Sequence, residues 1–149
     1  MPKSKPVSKV VGIDHISIRV RDYAKSRAFY SKLFEFLGFE VSEDYGSTIG
    51  WTNGKTRYWI AEAEGRKQYK IGDVGLHHYA FELRNRKDVD ALQAFLEKEK
   101  VKIVDPADEY YEDYYAVFFL DPDGIKLEGM KYGELTAKKK KGKTPKAKG

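Results

Sequence analysis

The sequence predicts an α+β fold built from two tandem βαβββ modules. Three observations carry that reading: an internal repeat, strand-type alternation opening each copy, and a capped helix following it. At a shift of 63 residues Gly12 falls on Gly75, His15 on His78, Ile18 on Phe81, Val20 on Leu83, Arg21 on Arg84 and Asp22 on Asn85. Phe29 then falls on Leu92 and Leu33 on Leu96. A glycine, a histidine, an arginine and an Asx cap keep register while the apolar pattern matches between them. One coincidence would mean little; this many in so short a stretch argue for duplication of a single unit.

Residues 1–10 are a polar, Pro-containing lead-in, expected to be disordered. Residues 12–20 alternate, with Ile16, Ile18 and Val20 on one face and His15, Ser17 and Arg19 on the other, as in a half-buried strand. Asp22 is placed to cap a helix with Ala28, Phe29, Leu33, Phe36 and Leu37 at helical spacing, and Gly38 to end it. Strands are expected at 39–45 and 47–52, and the dipeptide Asn53-Gly54 signals a tight hairpin into a strand over 55–63. After a loop over 64–74 the order begins again. Residues 75–83 form a strand, with His77, Tyr79, Phe81 and Leu83 on the core face and His78, Ala80 and Glu82 on the other. Asn85 caps a helix carrying Val89, Leu92, Phe95 and Leu96. A strand over 101–104 leads to an acidic, tyrosine-rich loop over 105–113. Strands over 114–120 and 125–132 flank the turn Asp121-Pro-Asp-Gly124. The expected organisation is one domain over 11–132, with modules at about 11–63 and 75–132, and a disordered Lys-rich tail over 133–149.

The chain of 149 residues is 41% hydrophobic, enough for a packed core. It has no Cys, which excludes disulfides and thiolate metal sites. No apolar run reaches the length of a membrane span, and the Lys-rich start lacks the apolar centre of a signal peptide, so a soluble cytoplasmic protein is expected. The net charge of +5 comes from the ends: Lys3, Lys5 and Lys9, and seven lysines over 138–149. Setting those ten aside leaves 18 basic against 23 acidic residues, a body charge of −5. Nucleic-acid binding by the body is therefore not expected, and any phosphate attraction would be weak and confined to the tail.

The repeat sets His15 and His78 at equivalent places on the polar faces of the two first strands. Imidazoles gathered on a concave sheet need a partner, and a metal completed by a carboxylate is one. The last strand offers Glu128, on one face with Lys126 and Met130, while Ile125 and Leu127 take the other.

The segments DHISIRV at 14–20, HHYAFEL at 77–83 and DPDGIKLE at 121–128, set in a duplicated βαβββ frame, resemble the vicinal oxygen chelate superfamily of glyoxalase, bleomycin-resistance and extradiol dioxygenase type. The resemblance spans residues 11–132. It implies a curled mixed sheet around a metal-binding cleft and one divalent metal ion (Zn, Ni, Mn or Fe(II)). By resemblance His15, His78 and Glu128 match the metal-ligand positions, with Glu128 also catalytic. Glyoxalase I uses a second Glu from the first module; here the place four residues past Gly54 is Tyr58, with Glu62 on the same face. Tyr58, Glu62 and Tyr115 are the candidate substrate-binding residues, although Tyr58, like Trp51 and Trp59, also suits a core. Tyr115, Val117 and Phe119 share one strand face and Tyr114, Ala116 and Phe118 the other, either of which can line a pocket or pack at an edge.

The activity implied is electrophilic metal catalysis on a small oxygen-rich substrate by a glyoxalase-like lyase, isomerase or transferase. An extradiol-type Fe(II) dioxygenase and a non-catalytic, ligand-sequestering protein of the bleomycin-resistance kind are the alternatives. A homodimer is the expected assembly.

Overall fold

The computed structural model describes residues 3–134. Apart from Gly133 and Glu134, the Lys-rich tail lies outside the described residues. The chain divides into two units between Lys67 and Gln68. Among the described residues each contains one helix and one open, four-stranded mixed sheet.

In the first unit β1 (His15–Val20) leads into α1 (Tyr23–Phe36), followed by β2 (Glu40–Asp44), β3 (Thr48–Thr52) and β4 (Arg57–Glu62). The sheet order is β1-β4-β3-β2, with β1 parallel to β4 and the other pairs antiparallel. Asp22 is extended and its side chain accepts from the Lys25 amide at 3.1 Å, which satisfies an otherwise orphaned donor of α1. The helix ends as its sequence predicts. Gly38 adopts φ 84°, its amide donates to the Glu35 carbonyl, and the Phe39 amide donates to the Phe34 carbonyl at 2.8 Å. The rings of Phe34 and Phe39, 4.8 Å apart, supply the apolar contact of that motif. Tyr30 and Phe34 then meet Trp51 and Tyr58 of the sheet at centroid distances of 4.9–6.4 Å. Burying each such ring stabilises the fold by about 1.5–3 kcal/mol.

The Asn53-Gly54 signal marks a turn, but a wider one than a two-residue hairpin. Thr52 pairs with Arg57, and the Asn53 side chain accepts from the Lys55 and Thr56 amides at 3.0 and 2.9 Å.

The second unit repeats the order with β5 (His78–Glu82), α2 (Arg86–Lys98), β6 (Ile103–Tyr111), β7 (Tyr114–Leu120) and β8 (Lys126–Tyr132), in the sheet order β5-β8-β7-β6. Asn85 caps α2 through the Asp88 amide at 2.8 Å. Val89, Leu92 and Leu96 are its buried face. Gly129 of β8 is the seat of that helix: a Cβ there would lie 2.5 Å from Leu92 Cδ2. Between β7 and β8 the Asp121 side chain accepts from the amides of Asp123 and Ile125, both at 2.8 Å, which fixes the turn.

The expected acidic loop over 105–113 is a correction, since most of it is the strand β6. Three register shifts along the β6–β7 ladder absorb its irregular sequence, and Pro106 is tolerated because β6 is an edge strand. Its charges are compensated locally. Buried Glu109 pairs with Arg86 at 2.9 Å, and Asp113 accepts from the amides of Gly133 and Glu134. No helix among the described residues is long and apolar enough to cross a membrane.

Candidate functional site

The parallel pairing of β5 with β8 sets His78 opposite Lys126 and Ala80 opposite Glu128, while Phe81 lies opposite Gly129. Since Gly129 faces Leu92 of α2, residues at the alternate positions face away from that helix. His78, Lys126 and Glu128 therefore share the helix-free face of the sheet. Phe118, Ala116 and Tyr114 of β7 join them, being paired with Glu128, Met130 and Tyr132. Tyr110, Ala116, Phe118 and Met130 form the apolar floor, against which Tyr114 packs.

On that floor His78 Nε2 and Glu128 Oε2 converge at 3.2 Å. The Glu128 side chain is 1% exposed and that of His78 27%. Each has an outer partner. The Tyr114 hydroxyl donates to Glu128 Oε1, and His77 Nδ1 lies 2.8 Å from His78 Nδ1. A buried carboxylate is tolerable only with such partners.

The pair fits a metal of borderline character. Imidazole nitrogen and carboxylate oxygen are the donors such ions take. Two donors of a tetrahedral site stand about 3.3 Å apart when bonds are near 2.0 Å, which matches the observed separation. Ligating histidines normally have their second nitrogen held from outside, as His78 Nδ1 is here. Among the described residues no group of three or more His, Cys, Asp or Glu side chains is gathered into a complete ligand set.

In the first unit His15 lies on the corresponding face, opposite Arg57 of β4. Its side chain is 56% exposed and its Nδ1 pairs with Asp14 Oδ2 at 2.8 Å. The hydrogen bond from His15 is the main reason the Asp14 carboxyl is held below its ordinary pKa. Trp59 shares this face and packs over Gly50, where a Cβ would come within 2.7 Å of the indole. An open cavity of about 450 Å³ is bordered by Asp14, Arg57 and Trp59.

The remaining candidates are placed differently from the sequence expectation. Tyr58 is fully buried on the α1 side, in the ring cluster with Tyr30 and Phe34. Glu62 lies opposite Val20, on that same side, at the exposed end of β4. Tyr115 also faces its helix, donating to Asp90 at 2.5 Å with Arg86 over its ring. It is Tyr114, one residue earlier, that reaches Glu128. His77, expected in the core, precedes β5 and is exposed. The strand register also corrects the module comparison. If His15 and Arg57 correspond to His78 and Lys126, the counterpart of Glu128 is Trp59, not Tyr58. Alternation already places Lys126 on the face of Glu128, without giving it a role. Nothing local distinguishes Tyr114 from Tyr115.

The sequence profile of the Glyoxalase/Bleomycin resistance protein/Dioxygenase superfamily matches residues 12–128. The uncharacterized protein YaeR of Escherichia coli is 32% identical over 122 residues, covering 78% of this chain and 92% of that one. The metallothiol transferase FosB of Bacillus licheniformis is 27% identical over 129 residues, covering 81% and 75%. A crystal structure of a glyoxalase-type protein from Bacillus halodurans superposes with a TM-score of 0.69 at 28% identity, covering 80% of this chain and 94% of that one. With the duplicated βαβββ frame and a profile match over most of its length, this chain belongs to the Glyoxalase/Bleomycin resistance protein/Dioxygenase superfamily.

Proposed function

We propose that the chain is a divalent-metal-dependent enzyme of this superfamily acting on a small molecule with two neighbouring oxygens. His78 and Glu128 hold the metal. His15, the repeat equivalent of His78, is the further metal-ligand candidate that family resemblance gives. The observation that carries the reading is the approach of His78 Nε2 to Glu128 Oε2 at 3.2 Å on a buried sheet face. The FosB relative, a metallothiol transferase by name, supports it.

When bound, a divalent ion supplies Lewis-acid polarisation of the substrate oxygens. The chain's own residues do the rest. Tyr114 holds Glu128 Oε1 and leaves Oε2 directed at His78. By resemblance Glu128 is also the catalytic carboxylate. Phe118, Ala116 and Met130 keep water from the floor of the site.

Calorimetric titration of Mn²⁺ into the wild type, His78→Ala and Glu128→Gln tests the assignment. One ion per chain is expected for the wild type, with binding weakened about 100-fold or more in either variant. Equal affinity in all three, or none in the wild type, would refute it.

A further inference from the structure

We infer that Lys126 holds an anionic oxygen group of the substrate, so that the molecule recognised beside His78 and Glu128 is a carboxylate or a phosphonate rather than a neutral diol or ketone. This rests on the metal-centre reading for what lies next to the anion. The lysine itself is argued from the second unit alone.

Lys126 is opposite His78 in the parallel ladder and two residues before Glu128, so all three share one face. The residue is 6% exposed. Its Nζ lies 4.7 Å from the centroid of the Phe118 ring, and the same ring meets His78 edge-on at 6.3 Å. The ammonium therefore stands at the same aromatic platform as the imidazole. Three other cations of this unit face carboxylates: Arg86 meets Glu109, Lys131 meets Glu82 and Arg84 meets Asp88. Among the described residues the Lys126 ammonium has no ion pair or hydrogen bond, and its one charge-compensating contact is the Phe118 ring.

Most of the Lys126 side chain is buried, and a ring face offsets only part of the cost of drawing its ammonium away from bulk water. Glu128, the nearest acid along the strand, is already engaged by His78 and Tyr114. With a divalent ion in place the face would carry more positive than negative charge, and an oxyanion is the ligand that balances it. The first unit keeps the same chemistry at the equivalent place, where Arg57 lies opposite His15.

The test titrates oxalate and methylphosphonate calorimetrically into the full-length chain, with and without Mn²⁺, for the wild type, Lys126→Met, Lys126→Arg and His78→Ala. At least one probe is expected to bind the wild type, and which one binds separates carboxylate from phosphonate recognition. Lys126→Met should weaken it by about 10- to 100-fold without weakening Mn²⁺ binding, while Lys126→Arg retains most of the anion binding. Circular dichroism checks folding, and Lys126→Gln replaces Lys126→Met if the latter is unfolded. Equal anion affinity in the wild type and the uncharged variant, or no binding of either probe to the wild type, overturns the inference. If instead His78→Ala binds Mn²⁺ as the wild type does, the metal reading fails alone, and the titrations without Mn²⁺ still decide the role of Lys126.

Discussion

Tyr114 and Tyr115 are neighbours in β7, yet their hydroxyls serve opposite sides of the sheet. Tyr114 donates to Glu128, and replacing it with Phe removes one partner of a buried carboxylate without changing the ring. We expect Tyr114→Phe to weaken Mn²⁺ binding about tenfold and to lower stability by about 1.5–3 kcal/mol, as for other hydrogen bonds to charged groups. Calorimetry and urea unfolding read the two effects separately, and an unchanged metal affinity would make Tyr114 a packing residue only. Tyr115 donates to Asp90, and burial, with Asp90 second, pushes its pKa up to about 12. The fold thus favours the protonated phenol. Its contribution is complete below the unfolded value near 10 and is lost as pH rises towards about 12. Tyr115→Phe should therefore lose less stability than the wild type between those pH values in urea unfolding, whereas Tyr110, also raised to about 12 by burial, remains in both. The sequence identified Glu128 through its spacing from the Asp-Pro-Asp-Gly turn. It could not rank the two tyrosines, because strand alternation separates faces without saying which one a helix will cover.

The helices were legible in detail because their signals are local. Asp22 and Asn85 cap as expected, and Gly38 takes the left-handed position that ends α1. The corresponding end of α2 was less obvious. Lys100 has φ 57°, with its amide donating to the Glu97 carbonyl at 3.1 Å and the Val101 amide to the Leu96 carbonyl at 2.9 Å. This is the same closing motif with a side chain where α1 has glycine. Left-handed backbone costs a residue with a Cβ about 1–2 kcal/mol, of which glycine returns part through its looser unfolded state. Lys100→Gly is expected to stabilise the chain by about 0.5–1 kcal/mol, visible as a raised urea midpoint at constant slope. A lowered midpoint would mean that the lysine side chain has a stabilising role that outweighs the strain. The strand β6 was misread for the opposite reason. Its acidic residues look like loop when taken alone, and become acceptable in a strand only through Arg86 and the bulged pairing with β7, both distant in sequence.

At the scale of the whole chain, the duplication kept its scaffold and differentiated its chemistry. The first strands and helix caps align at a shift of 63, but Arg57 corresponds to Lys126 at a shift of 69, so the second copy is longer between helix and last strand. A comparison made on hairpin spacing therefore landed on Tyr58, one residue from the true counterpart, Trp59. That one-residue error exchanges a core position for one on the histidine face. The first unit consequently presents His15 with Trp59, and the second presents His78 with Glu128. Metal affinity should then report on stability unequally. A ligand at about 100 times its Kd stabilises the state that binds it by about 2.7 kcal/mol, equivalent to a rise in Tm of about 5–10 °C for a chain of this size. We expect that rise with Mn²⁺ in the wild type, its reversal by a chelator, and its absence in His78→Ala and Glu128→Gln. If His15 is a ligand, as proposed, His15→Ala should retain less than half of it. A full rise in His15→Ala would confine the metal site to the second unit, and an equal rise in every variant would trace the effect to non-specific binding.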